Sequence, residues 1–457
     1  MSTRYRVFAM LAAAALLFRW EPGIFLNFSR NGNVTWSGWL PVFFALGALV
    51  RPSDVRWLLA MYAGIAVDVF VTAPAVPNHY LLTLCLGAGV WAAAIGGVYR
   101  LGRLPTGDEL IADVAGPLRA AVAVFYLFTG VWKSNTGFVD PTWSCGAASW
   151  ARLVAQFGFL PDGEGLRYGV MAFTLALEYI GPVLLLVPTT RAAAATVFVL
   201  FHGVLALDLV QNYQNFSWAM VPALTLFLPD DAWDRAAERF PRLEVALRYG
   251  QLNLLFGHLA LLVVAWFSRL TMPSFTVMPH QQVRWLVAVV CFWGLFGGFA
   301  MVAWASRASR AWVGGGAPGW LAVAMVLLNG VSPLIGLKNR NSWQMYSNVR
   351  IEAHASNHWF LPPSLDVFGL QRDLVEVLES DDRELLLETR ERGLQMTWWD
   401  FRVWLHEHPN TRVTYVRGGE RYQIRSPSEL PAPPPWLLRK VVWFRPVGEA
   451  VARQCQW

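Results

Sequence analysis

Apolar residues fall in blocks along the first three-quarters of the chain, at 5–19, 38–50, 55–73, 79–99, 116–133, 169–187, 192–210, 214–228, 252–268, 284–304 and 319–336. A hydrocarbon layer of about 30 Å needs roughly 20 apolar residues of helix. Most of these blocks approach that length; the first two are short. The pattern predicts an all-α polytopic membrane bundle of about nine to eleven spans. The first block follows Arg4 and Arg6 and has no small-residue cleavage site after it, so it reads as a retained helix and not a signal peptide. Residues 230–249 alternate charges with Trp233, Ala236, Phe240, Leu243 and Leu247, which predicts one amphipathic helix on the inner surface. After residue 336 the character changes. Residues 411–416 and 421–425 read as strands around Gly418-Gly419, a hairpin signal. Residues 373–392 are helix or strand-turn material, and the Pro-rich 427–435 should be extended. The chain therefore divides into a transmembrane domain, 1–336, and a small extramembrane α+β domain, 337–457.

Composition sharpens this picture. Only 15% of residues are charged and mean hydropathy is +0.37, where a soluble chain carries about 25% charged residues. The net charge of +6 sits largely in short loops, without a basic stripe interleaved with aromatics, so nucleic acid is not an expected partner. Alternate loops carry unequal basic charge. One set holds Arg4, Arg6, Arg51, Arg56, Arg100, Arg103, Arg119, Arg191, Arg235, Arg239, Arg242, Arg248, Arg307 and Arg310; the other holds Arg19, Arg30, Lys133, Arg152, Arg167, Arg269 and Arg284. The positive-inside rule makes the first set cytoplasmic, which predicts a cytoplasmic N-terminus and an extracytoplasmic C-terminal domain in a plasma or inner membrane. Of the four cysteines, Cys85 and Cys291 lie in apolar runs, while Cys145 and Cys455 fall on the outer side. A bond between those two is open on an oxidising side. No metal-ligand spacing is present, and no metal is expected.

Ionisable groups inside spans are costly and usually have a partner or a task. Lys133 closes the fifth block, His79 opens the fourth, Glu178 and His202 stand mid-span, and Asp208 and Asn212 follow His202. The topology brings Lys133, His79, Asp208 and Asn212 to one side of the membrane. A lysine in an apolar setting can act as a base and an imidazole can relay its proton. The plainer readings stay open: Lys133 snorkelling to the interface, His202 as an interhelical hydrogen-bonder, Glu178 as a buried partner for a helix-end group.

The stretch Phe125-Tyr126-Leu127-Phe128-Thr129-Gly130-Val131-Trp132-Lys133, with Trp143 and Gly146-Ala147, resembles the core motif of the horizontally transferred transmembrane (HTTM) family, which includes the vitamin K-dependent γ-glutamyl carboxylases. Asn78-His79-Tyr80-Leu81, Glu178 with Pro182, Pro188 and Arg191, Phe201-His202 and Phe216-Ser217 follow the family's order. The segment Ser342 to Arg350, then Ser356-Asn357-His358, resembles the carboxylases' post-membrane segment, closest to a bacterial branch. The resemblance covers about residues 1–375. It implies that Lys133 is the catalytic base that deprotonates vitamin K hydroquinone or a similar reduced quinone, and that His79 assists. Glu178, His202, Asp208, Asn212 and Arg191 would be supporting polar groups. The implied partners are the lipid bilayer, a lipid-soluble quinol and an extracytoplasmic protein or peptide substrate. The family's lysine pair is here Trp132-Lys133, and the outer domain is only about 100 residues, so γ-carboxylation and propeptide recognition do not carry over. The competing reading is a non-catalytic membrane-anchored interaction or assembly protein.

Overall fold

The computed structural model describes residues 3–19, 36–208, 211, 213–271, 279–305, 315–448 and 455. Arg30, Asn212, Arg307 and Arg310 lie outside them, as do the side chains of Arg19, Arg269 and Arg284. The described chain is mostly helical: α1 Thr3–Arg19, α2 Trp39–Val50, α3 Val55–Thr72, α4 Asn78–Leu101, α5 Gly107–Lys133, α6 Cys145–Phe157, α7 Glu164–Leu186, α8 Arg191–Leu205, α9 Tyr213–Thr225, α10 Ala232–Arg239, α11 Arg242–Thr271, α12 Pro279–Ala305 and α13 Leu321–Val331. Among the described residues, five stretches are long and apolar enough to cross a bilayer: α3, α4, α5, α7 and Leu286–Trp304 of α12. Each predicted block meets a helix, but α2, α8, α9 and α13 are shorter than the roughly 20 residues a perpendicular span requires. The later blocks over-ran their helices because turn residues at their ends are also apolar, Ala206-Leu207 and Leu226-Phe227-Leu228 among them.

The predicted amphipathic helix over 230–249 is two pieces. Pro241 lacks an amide hydrogen and cannot continue α10, so the chain stops at Phe240 and restarts as α11, which runs on through the next apolar block.

The chain forms two compact units, neither continuous in sequence. The first holds Met1–Thr72, His79–Val124 and Ile180–Val326. Its core includes an aromatic ladder, with Phe18 stacked on Trp218 at 4.4 Å and Trp218 edge-on to Phe292 at 5.5 Å. The second unit holds Ala73–Asn78, Phe125–Tyr179 and Leu327–Trp457. It therefore contains the end of α5, the start of α7 and the whole C-terminal region.

That region is the expected α+β fold. Four strands, β1 Leu374–Ser380, β2 Met396–Thr397, β3 Val413–Arg417 and β4 Glu420–Ile424, lie antiparallel in the order β2-β1-β3-β4. Gly418 and Gly419, at φ +59° and +83°, make the two-residue turn between β3 and β4 that demands two left-handed residues. Helices α14 Arg383–Glu388 and α15 Trp398–Glu407 accompany the sheet, and Val375, Leu385, Phe401, Leu405, Val413 and Ile424 fill its core. Asp382 and Thr397 cap the two helices with their side-chain oxygens. The Pro-rich stretch opens with a 3₁₀ turn, Pro427–Glu429, which fixed proline φ angles permit, before it extends.

Candidate functional site

Lys133 is the last residue of α5, and its side chain is only 9% exposed. It does not snorkel. Its Nζ donates to Glu178 Oε1 of α7 at 2.8 Å, and the Glu178 side chain is 7% exposed. Two features of the sequence bring them together. Gly130 lies one turn before Lys133, where a Cβ would come within 3.2 Å of Glu178 Cβ and 3.3 Å of its backbone. The absent side chain lets α5 and α7 approach closely, as small residues do between membrane helices. Ser134 then ends α5, its hydroxyl meeting Tyr179 Oη at 2.7 Å. The Thr129 hydroxyl, which donates to Tyr126 O at 2.8 Å, also lies against the buried Glu178 carboxylate.

The segment after the last span clasps this helix end. Asn135 Nδ2 donates to Trp132 O at 2.8 Å and to Ser347 O at 2.6 Å, while its Oδ1 accepts from Phe138 N. Asn348 Oδ1 accepts from Cys145 N and its Nδ2 donates to Trp143 O. Asn357 Nδ2 donates to Asn348 O at 2.8 Å. His358 Nδ1 accepts from the amides of Phe360 and Leu361, so its proton sits on Nε2, which donates to Val131 O at 2.7 Å. Burial holds the His358 imidazole below its ordinary pKa, consistent with this neutral tautomer. Cys145 and Cys455 form a disulfide across 310 residues of chain. Asn135, Asn348, Asn357 and His358 carried no assigned role in the sequence reading. The signal was present, since an amide directly after a span must satisfy several groups where water is scarce.

The remaining predicted residues belong to the first unit. His79 opens α4, 6.5 Å from the ring of Phe216, which also meets the fully buried His202 edge-on at 4.8 Å. Ser217 Oγ donates to His202 O at 2.7 Å. Asp208 is buried and accepts from Gln211 N at 3.1 Å. Arg191 caps the end of α7, with Nε donating to Leu185 O and Nη2 to Leu186 O. Arg4 and Arg119 both donate to Leu226 O, at 3.4 and 2.6 Å, and both pair with Asp230, at 2.7 and 3.3 Å. The sequence reading also passed over Asp68, an acid inside an apolar block. It accepts from Ser37 Oγ at 2.9 Å and Tyr80 Oη at 2.8 Å.

In the extramembrane region two buried acids are pushed upward. Burial raises Glu352 despite Arg350 at 2.7 Å, and raises Asp400 to about 7 against hydrogen bonds from Thr397 Oγ1 and Phe444 N. Among the described residues, no three metal-ligating side chains gather. No protein-family model, curated protein or solved structure matches the chain.

Proposed function

We propose that this chain is an integral membrane enzyme resembling the vitamin K-dependent γ-glutamyl carboxylases, with Lys133 as a base toward a lipid-soluble quinol. The observation that carries the reading is the enclosed Lys133–Glu178 pair at the end of α5. A primary amine in such a place can lose its proton, which a guanidinium cannot. Neutral Lys133 takes the proton of a quinol hydroxyl, and Glu178 then balances the new ammonium and keeps Nζ in place, as a carboxylate does for an imidazolium in acyl-transfer triads. Tyr126, Phe128 and Trp132 lie on the same helix as Lys133, the kind of aromatic surface a flat apolar ring bearing a hydroxyl packs against. The reduced quinone, when bound, supplies the redox chemistry; the chain supplies the base, its counter-ion and a dry setting.

Trp132 stands where the carboxylases' first lysine would be. It is fully buried, stacked near Phe128 and edge-on to His358, so this chain performs the step with a single amine. The outward placement of Lys133 is supported by the loop charges and by the Cys145–Cys455 bond, which requires an oxidising compartment. The substrate is an extracytoplasmic protein or peptide, the N-terminus is cytoplasmic, and the C-terminal domain lies outside.

Mass spectrometry of lipid extracted from the purified protein tests the co-substrate. A stoichiometric quinone supports the reading, and bulk phospholipid alone contradicts it.

A further inference from the structure

The second unit carries an apolar loop that neither the bundle core nor the extramembrane sheet uses. Residues 359–368 read Trp-Phe-Leu-Pro-Pro-Ser-Leu-Asp-Val-Phe. Trp359, Phe360, Leu365, Val367 and Phe368 are 53, 61, 66, 64 and 54% exposed. The loop's one ionisable group, Asp366, turns inward: it is buried, accepts from Gln371 N at 3.1 Å and faces Arg372 at 3.6 Å. This is the reverse of a solvated loop, where apolar groups turn in and charges turn out. A contiguous exposed apolar surface of this kind marks a contact with a partner or a membrane.

The backbone bonds of the loop say which. Trp359 N donates to Ser134 O at 3.0 Å, one residue past the end of α5. Leu365 N donates to Leu334 O at 2.9 Å and Val367 N to Ile335 O at 3.0 Å, just past the end of α13. His358 Nε2 holds Val131 O inside the last turn of α5. The loop is thus fastened at both ends to chain just past two apolar helices, the spanning-length α5 and the shorter α13. That is the level of the headgroup–acyl boundary, where Trp and Phe are favoured and an uncharged apolar rim is not penalised.

We propose that residues 359–368 are an interfacial anchor, with Trp359, Phe360, Leu365, Val367 and Phe368 inserted into the phospholipid leaflet at which α5 and α13 end. The loop binds lipid as a surface. Because Trp359 N and His358 Nε2 bond to the carbonyls flanking Lys133, the anchor also sets the depth of Lys133 at the interface. The inference needs the spans but not the enzyme reading, so the two fail separately.

Nitroxide labels on Phe360→Cys and Phe368→Cys test it, in full-length protein with Cys85 and Cys291 replaced by Ala, reconstituted into phosphatidylcholine vesicles. Both sites are exposed; Phe360 meets His358 edge-on at 4.4 Å, so the Phe368 label is the one that leaves the packing alone. A label on Glu420→Cys, exposed on β4, is the aqueous control. The expected result is a shift from nickel-chelate accessibility at 420 to oxygen accessibility at 360 and 368. Water-like accessibility at 360 and 368 overturns the proposal. So does low accessibility to both reagents: with dipolar broadening between labels it assigns the loop to a second copy, and without broadening to a covering protein surface. A double Leu365→Asp/Val367→Asp variant should abolish the oxygen accessibility at 360, and its persistence in that variant also overturns the anchor.

Discussion

Two buried cationic clusters in this molecule are solved in opposite ways. In the first unit Arg4, Arg119 and Arg191 are all at most 6% exposed, and their donors go mainly to backbone carbonyls that end helices, Leu226 O, Leu185 O and Leu186 O. The carboxylate that Arg4 and Arg119 share, Asp230, is 58% exposed. In the second unit Lys133 has its side-chain hydrogen bond to one enclosed carboxylate. The arginine cluster is a set of helix caps whose charge is permanent. The lysine pair is a one-to-one ion pair, enclosed on both sides. The first arrangement ties helix ends together; the second is the pair on which the proposed function rests.

The comparison can be broken in several ways. Removing one member of an enclosed pair strands the other charge, at a cost of about 3–5 kcal/mol. Glu178→Leu and Lys133→Met should each lower thermal stability by that order, while the double variant should recover most of the loss. Equal loss in all three would show the pair to be incidental. Arg119→Met takes the donor from Leu226 O and weakens the hold on Asp230, for about 1.5–3 kcal/mol, the range for hydrogen bonds from charged groups. Here no partner substitution should rescue it.

Asp400 extends the contrast to an acid held by neutral donors. Its folded pKa, raised to about 7 by burial, exceeds the ordinary value of 3.8. The folded state therefore binds more protons between those values. The stabilisation is complete below about 4 and is lost as pH rises through about 7. Thermal melts should show stability falling between about pH 4 and 7 from this group, and Asp400→Asn should flatten that part of the profile. Asp230→Asn is the smallest change, under about 1 kcal/mol, because an exposed carboxylate contributes little. A loss as large as that of Glu178→Leu would erase the distinction between the clusters.

Much of the architecture was legible because hydropathy reports membrane helices directly, and because Gly418-Gly419 between β-branched and aromatic runs leaves few alternatives to a hairpin. Helix ends were less legible, since apolar turn residues such as Leu226-Phe227-Leu228 extend the pattern past the last helical turn. Lys133 and Glu178 were each visible as costly charges. Glu178 as a buried partner for a helix-end group was open in the sequence; which helix end it meets was not, because the residues lie 45 apart and meet where Gly130 admits α7. The clasp by Asn135, Asn348, Asn357 and His358 depends on a segment more than 200 residues downstream of α5, which no local pattern announces. Asp68 was legible, as an acid inside an apolar block, and was passed over.

The central claim is that Lys133 is a base, and chemical rescue tests it most directly. Lys133→Ala, purified with its disulfide intact, should lose quinol-dependent turnover by about 10²–10⁴-fold. Added methylamine should restore part of that rate in proportion to its free-base concentration. Turnover of the Ala variant at the wild-type rate would contradict the account.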